Sequence, residues 1–104
     1  MKEKFLEAID KKLKVRVTFD SIEKGIITRT CIPFDFGPSQ KINAIDKSDK
    51  YHLLDLDSPE KPHPLPLDPD KILNIEVLNE SFDPADYVKW TPRWIYARDW
   101  GMYS

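Results

Sequence analysis

The sequence predicts a mainly β protein, in which a short N-terminal helix precedes a small five-stranded barrel and an aromatic C-terminal tail packs on that barrel. The hydrophobic periodicity changes from helical to alternating near residue 14, and several short β-branched segments then follow one another with local links. All three tryptophans lie between residues 90 and 100. A chain of 104 residues has the size of one domain with one hydrophobic core.

The N-terminal segment carries its apolar residues at helical spacing. Phe5, Leu6, Ile9 and Leu13 are separated by one, three and four positions and therefore share one face of a helix. Residues 14–19 then alternate apolar and polar side chains, which predicts a half-buried strand.

The next three strands are predicted from short apolar segments between turn residues. Residues 26–32 form a β-branched segment that we expect Pro33 to end, because proline cannot donate a ladder hydrogen bond. Segments 41–46 and 51–57 flank the polar link 47–50, which has hairpin length. They are predicted to be the third and fourth strands.

Five of the nine prolines lie between Ser58 and Asp70, a density that excludes a central strand and predicts an extended loop. Residues 71–78 are the predicted fifth strand. Five short, locally linked strands leave no exposed edges if they curl, so an SH3-like or Sm-like small barrel is expected over residues 1–83. Residues 84–104 follow a helix-start signal and are expected to pack on the same domain.

Composition limits the class of protein and of partner. The net charge of −2 divides into +3 over residues 1–32, −7 over 33–86 and +2 over 87–104, so a nucleic acid would need a local basic patch. No apolar stretch has the length of a membrane span, and the charged N-terminus is unlike a secretory signal. A single cysteine allows no internal disulfide, so a reducing, cytoplasmic location is expected.

Five segments of the chain, taken in order, are similar to a known family. They are Phe5-Leu6-Glu7-Ala8-Ile9, Val15-Arg16-Val17-Thr18-Phe19, Arg29-Thr30-Cys31-Ile32-Pro33, Tyr51-His52-Leu53 and Asp70-Lys71-Ile72. Their order resembles the WYL domain of bacterial and archaeal regulators, and the similarity covers roughly residues 4–83. The family's arginine, aliphatic residue and proline fall on Arg29, Cys31 and Pro33, and its Trp-Tyr-Leu falls on the segment 51–53, of which the leucine is kept.

The resemblance implies a Sm-like barrel that senses a ligand, often a nucleotide or a nucleic acid, usually beside a helix-turn-helix domain. We expect a stand-alone member, because no such domain precedes Met1. The family's later arginine-aromatic segment would fall on residues 63–72, where this chain keeps Asp70 and Ile72, has Lys71 for arginine, and is otherwise rich in proline.

Eight side chains are candidates for ligand binding. Arg16 and Arg29 lie within predicted strands, where a charged group must reach solvent or meet an anion. If residues 94–100 are extended, alternate side chains share one face and interleave aromatic rings with a guanidinium, which suits stacking on bases, on a protein or over the open side of the barrel. The candidates are Arg16, Arg29, His52, Lys71, Trp94, Tyr96, Arg98 and Trp100.

Signals for catalysis and metal binding are weak. Asp55 and Asp57 share a strand face, but no nucleophile and base accompany them. His63, Asp68 and Asp70 lack the spacing of a metal site, and Cys31 has the apolar surroundings of an inert thiol. We therefore expect no enzyme activity, no cofactor and no metal.

Two functions remain open at this stage. The first is a non-enzymatic WYL-like regulatory or sensor module that binds a nucleotide or single-stranded nucleic acid. The second is a structural or protein-interaction subunit that binds a protein partner, or a second copy of itself, through the tail, with Trp94 and Trp100 as anchors.

Overall fold

The computed structural model describes residues 1–104 and contains one sheet, two α-helices and two single 3-10 turns. The 3-10 turns are Pro69–Lys71 and Gly101–Tyr103. No helix has the length and apolar character needed to cross a membrane. The α-helices and strands are α1 (Lys2–Lys11), β1 (Leu13–Ser21), β2 (Gly25–Gly37), β3 (Lys50–Asp55), β4 (His63–Leu67), β5 (Ile72–Ser81) and α2 (Pro84–Tyr87).

All neighbouring strands are antiparallel, and their order across the sheet is β4-β3-β2-β1-β5. Val17 in β1 lies opposite Arg29 of β2 on one side and Ile75 of β5 on the other. The predicted mainly β fold with an N-terminal helix is confirmed. The hydrogen-bonded order ends at β4 and β5, which are the two edge strands.

The core lies between α1 and one face of this sheet. Phe5, Ala8 and Ile9 of α1 are fully buried, and the ring of Phe5 meets that of Tyr51 edge to face at 4.9 Å. The helix ends at Lys11, and the left-handed backbone of the next residue, Lys12 (φ 56°), turns the chain directly into β1. Helix and strands therefore bury a common apolar layer, as the periodicity predicts.

The prediction that Pro33 ends the second strand is wrong, since β2 continues to Gly37. The pairing of β2 with β3 shifts register between Pro33 and Asp35. A bulge of this kind accommodates a residue that has no N–H to donate. The extension places Phe34 and Asp35 within the sheet, where they contact the tail.

The predicted third strand, residues 41–46, is instead part of a loop that joins β2 to β3. β2 pairs with β3 on one side and with β1 on the other, so β2 has no free edge with which this segment could pair. Ile42 and Ile45 are each 97% exposed, so this segment contributes neither side chain to the core.

The prediction of an extended loop for residues 58–70 is also wrong, because β4 lies within it. Leu65 and Leu67 lie opposite Leu53 and Tyr51 of β3. Prolines at alternate positions of an edge strand need no ladder donor on the solvent side. The exclusion of a central strand is confirmed, because β4 is at the edge.

The C-terminal residues belong to the same core as the helix and the sheet. Asp83 caps α2 by accepting a hydrogen bond from the backbone N–H of Ala85 at 3.0 Å, at the predicted helix start. Trp100 is 3% exposed, and its indole N–H donates to the carbonyl oxygen of Ile9 at 2.8 Å. Tyr96 donates its hydroxyl to Asp10 at 2.7 Å.

Gly37, at the end of β2, leaves room for the tail residue Ile95 to pack against the strand. Its φ of 145° favours glycine, and a Cβ at this position would lie 2.7 Å from Cδ1 and 2.9 Å from Cγ2 of Ile95. The absence of a side chain at residue 37 is therefore what lets Ile95 pack on the strand.

We expect Gly37→Ala to reduce the free energy of unfolding by about 1–3 kcal/mol, through backbone strain and overpacking against Ile95. Denaturant unfolding would measure it. Gly25→Ala is the matched control, because Gly25 also has a positive φ (73°) but nothing within 4 Å of the added Cβ. Adding Ile95→Ala to Gly37→Ala should restore the part of the unfolding free energy that is lost through overpacking against Ile95. Equal losses of unfolding free energy from Gly37→Ala and Gly25→Ala would contradict a specific steric clash between residue 37 and Ile95.

Candidate functional site

A groove of about 650 Å³ lies between the β2-β3-β4 side of the sheet and the C-terminal tail. Phe34, His52 and Leu53 contribute to it from β2 and β3, and Pro64–Pro66 from β4. The tail segment 90–95 and the start of the β2–β3 loop complete the lining. Its volume is within the range of about 300–1,000 Å³ typical of small-molecule sites.

Asp35 fixes the tail wall of this groove. One carboxylate oxygen accepts the backbone N–H of Ile95 at 2.8 Å, and the other accepts those of Tyr96 and Phe36 at 2.9 Å each. The second oxygen also lies 3.2 Å from Nη2 of Arg98. Asp35 is 6% exposed, so a buried charge is fully matched by donors from the tail and from its own strand.

Arg98 completes this attachment from inside the tail. Its side chain is 0% exposed, and its guanidinium carbon lies 4.2 Å from the ring centroid of Trp94 and 4.5 Å from that of Trp100. It also donates to the carbonyl oxygens of Phe34 and Tyr96. Burial lowers the pKa of Arg98 to about 10, which leaves it charged at neutral pH.

Two further hydrogen bonds shape the groove. Nε2 of His52 lies 2.8 Å from the carbonyl oxygen of Gly37, and since a carbonyl only accepts, this nitrogen carries the proton. Gln40 donates its amide N–H to the carbonyl oxygen of Arg93 at 2.8 Å and so links the β2–β3 loop to the tail.

The unpaired charge of the groove is positive. Lys41 and Arg93 line it, and neither forms an ion pair. The only acid in the lining is Asp35, whose oxygens are occupied by the tail. An anion entering the groove would therefore meet free cations and no unpaired carboxylate.

The groove also presents an aromatic surface. Trp90 is 51% exposed, and its ring is supported edge to face by Phe34 at 5.8 Å and Trp94 at 6.1 Å. Pro64 and Pro66, also exposed, line the same groove from β4. A flat ring could stack on the free part of Trp90.

Four of the sequence-predicted site residues lie together in the tail. Trp94 lines the groove, whereas Arg98 and Trp100 are buried behind it and Tyr96 is bonded to Asp10. The predicted alternation of rings and guanidinium is present, but it packs inward onto the core. His52, from β3, is the second predicted residue that lines the groove.

The other three predicted residues lie outside the groove lining. Arg16 forms an exposed pair with Glu76 at 3.3 Å. Arg29 donates to the backbone oxygen of Asp57 at 2.6 Å and lies 3.8 Å from Asp55. Lys71 is in the 3-10 turn before β5 and has no ion pair.

The weaker candidate residues have local structural partners. Asp55 accepts the backbone N–H of Asp57 at 2.8 Å, and Asp57 accepts that of Thr30 at 2.7 Å. Burial raises the pKa of the Cys31 thiol, which disfavours the thiolate. No cluster of His, Cys, Asp and Glu side chains has the geometry to hold a metal ion.

Sequence reasoning missed Trp90, Arg93, Lys41 and Asp35. The first two lie within the tryptophan-rich segment, so their proximity to Trp94 was a usable signal. Lys41 was assigned to a strand that does not form. The only sign of Asp35 in the sequence is its position as a single acid between Phe34 and Phe36, which does not identify a partner.

Comparisons of the chain with protein-family models, with curated proteins and with solved structures find no match. The function is therefore inferred from the groove itself.

We expect Asp35→Asn to destabilise the protein by about 3–5 kcal/mol, because it leaves the buried Arg98 charge without its partner. The amide NH₂ would also face an N–H donor. Urea unfolding at neutral pH would measure the loss. Glu76→Gln, which breaks the exposed pair with Arg16, is the control and should change stability by only about 0–1 kcal/mol. Similar effects of the two substitutions would contradict the importance of the buried pair.

Proposed function

We propose that this protein is a binding module, not an enzyme, and that the groove between the tail and β2-β4 holds an anionic ligand with a flat ring. A nucleotide, or the end of a single-stranded nucleic acid, has this chemistry. The observation that carries the proposal is the combination of two unpaired cations, Lys41 and Arg93, with the half-exposed ring of Trp90 in one groove.

The charges supply the anion-binding part. Lys41 extends from the loop and Arg93 from the tail, so the two cations approach the groove from different elements. The protein as a whole is slightly acidic, with a net charge of −2. Two cations without acidic partners in one groove therefore do not follow from a basic composition and favour an anionic ligand. Phosphate oxygens are suitable partners for both.

The rings supply the second part. Stacking on an aromatic side chain contributes about 1–3 kcal/mol per base and tolerates any base. Phe34 and Trp94 pack edge to face with the ring of Trp90, so little ordering of that ring is needed when a ligand stacks on it. His52 offers Nδ1 as a further polar group, because Nε2 is engaged by Gly37.

The resemblance to WYL domains supports a regulatory or sensor role, and membership of that family is part of the proposal. So is a Sm-like small barrel, for which the register shifts in β1 and β2 are favourable because bulges bend strands. A cytoplasmic location in a prokaryotic cell belongs to the same proposal.

A protein partner, or a second copy of this chain, is the alternative occupant of the tail surface. Trp90 and Ile95 are 51% and 44% exposed, and tryptophan is a frequent anchor at interfaces. Trp100, at 3% exposure, is less accessible to a partner than Trp90 is.

We expect Lys41→Ala with Arg93→Ala to weaken nucleotide binding more than tenfold, since each removes a charge-assisted contact of about 1.5–3 kcal/mol. Trp90→Ala should weaken it by a comparable factor. Calorimetric titration with mono- and triphosphate nucleotides and a short single-stranded oligonucleotide, at low and moderate salt, would measure this.

Arg16→Ala and Lys71→Ala are the charge-matched controls, because both cations lie outside the groove lining. Arg29→Ala tests the site that the family motif implies. A loss of affinity confined to Arg29→Ala would move the site to β2 and contradict the groove. If wild type binds no anion but self-associates or forms a complex that Trp90→Ala breaks, the alternative function is supported.

A further inference from the structure

The first residues of the loop between β2 and β3 line the groove, and the loop then exposes two isoleucines to solvent. Ile42 and Ile45 are each 97% exposed, three positions apart. Lys41, the residue before Ile42, lines the groove. The loop that supplies Lys41 to the groove therefore also holds two apolar side chains in contact with water, which the hydrophobic effect disfavours.

We propose that residues 42–45 form a lid that closes over the occupied groove and places Ile42 and Ile45 against the ligand and the ring of Trp90. The lid deepens the proposed function and rests on it. It regulates how long the ligand stays, because a closed lid must open before release.

Hydrogen bonds fix the two ends of this segment and leave its middle free. On the first side, Gln40 is bonded to Arg93 across the groove. On the second side, Lys50 pairs with Asp46 at 3.1 Å and with Asp68. Bonds from Ser48 and Lys50 lower the pKa of Asp46 to about 2, so this anchor is ionised at neutral pH.

Between the anchors, the backbone N–H of Ala44 donates to Lys41 at 3.1 Å. No other hydrogen bond involves residues 42–45. A segment with few contacts between fixed ends can move as a unit at small free-energy cost. Because Lys41 lines the groove, the segment begins next to it, and closure over the groove is the motion that we propose.

Closure would give both parts of the ligand additional contacts. The isoleucines would bury apolar surface over the ring, and Lys41 would move with the lid toward the anion. The exposed part of Trp90 would be covered at the same time. A binding segment that is apolar and cationic matches a ligand that is flat and anionic.

The experiment measures dissociation of a mant-labelled ATP after mixing with excess unlabelled ATP, for wild type and for the double variant Ile42→Ser with Ile45→Ser. We expect dissociation to be about tenfold faster in the variant, with little change in association, because the lost contacts form only after entry. Saturating nucleotide should also slow tryptic cleavage after Lys41 and Lys47 in wild type and not in the variant.

The matched control is Ile22→Ser with Ile26→Ser. Ile22, in the β1–β2 turn, is 93% exposed, and Ile26, at the start of β2, is 67% exposed. Neither lines the groove. Dissociation that is equally fast in wild type and both double variants would overturn the lid while leaving the groove as a binding site. Absence of binding by wild type would overturn both proposals. A change of oligomeric state confined to the Ile42 and Ile45 variant, with unchanged dissociation, would assign the pair to an interface and overturn the lid.

Discussion

The buried ion pair between Asp35 and Arg98 is the interaction on which the rest of this structure depends. The two residues are 63 positions apart in the chain, and the pair attaches the tail to the second half of β2. Backbone N–H groups of the tail converge on the same carboxylate, and the guanidinium packs against the rings of both Trp94 and Trp100. Without this attachment the groove would lack the wall that carries Trp90, because the tail supplies that wall.

A buried pair of this kind contributes more to geometry than to net stability. Removing two charges from water is costly, and the attraction between them offsets that cost only when the remaining hydrogen bonds are also made. Here they are made, since no buried side-chain nitrogen or oxygen lacks a partner. The pair therefore admits one arrangement of tail and strand. Gly37 reinforces the same arrangement by steric means, because its missing Cβ is the space that Ile95 occupies.

The elements around the groove combine rigid walls with one weakly held rim. The prolines of β4 make an edge strand that offers few donors for pairing with another chain, and the same residues line the groove. The tail wall is fixed by buried bonds, whereas residues 42–45 have almost none. Trp90 in the tail wall is half exposed, whereas the neighbouring rings of Phe34 and Trp94 pack in or against the core.

The sequence by itself determined the helix, the first strand, most of the second strand, the strand that begins near residue 51 and the fifth strand, because local periodicity specifies these elements. It could not determine that β2 passes through Pro33, that residues 41–46 stay outside the sheet, or that a proline-rich segment forms β4. Those outcomes depend on which strand edges remain unpaired, a property of the whole sheet. The groove was likewise decided by tertiary structure. Sequence analysis identified His52 and the aromatic tail. Lys41, Arg93 and Trp90 line one groove because Asp35 pairs with Arg98, 63 positions later in the chain. A buried ion pair of this kind leaves no periodic pattern in the sequence, so it could not be predicted.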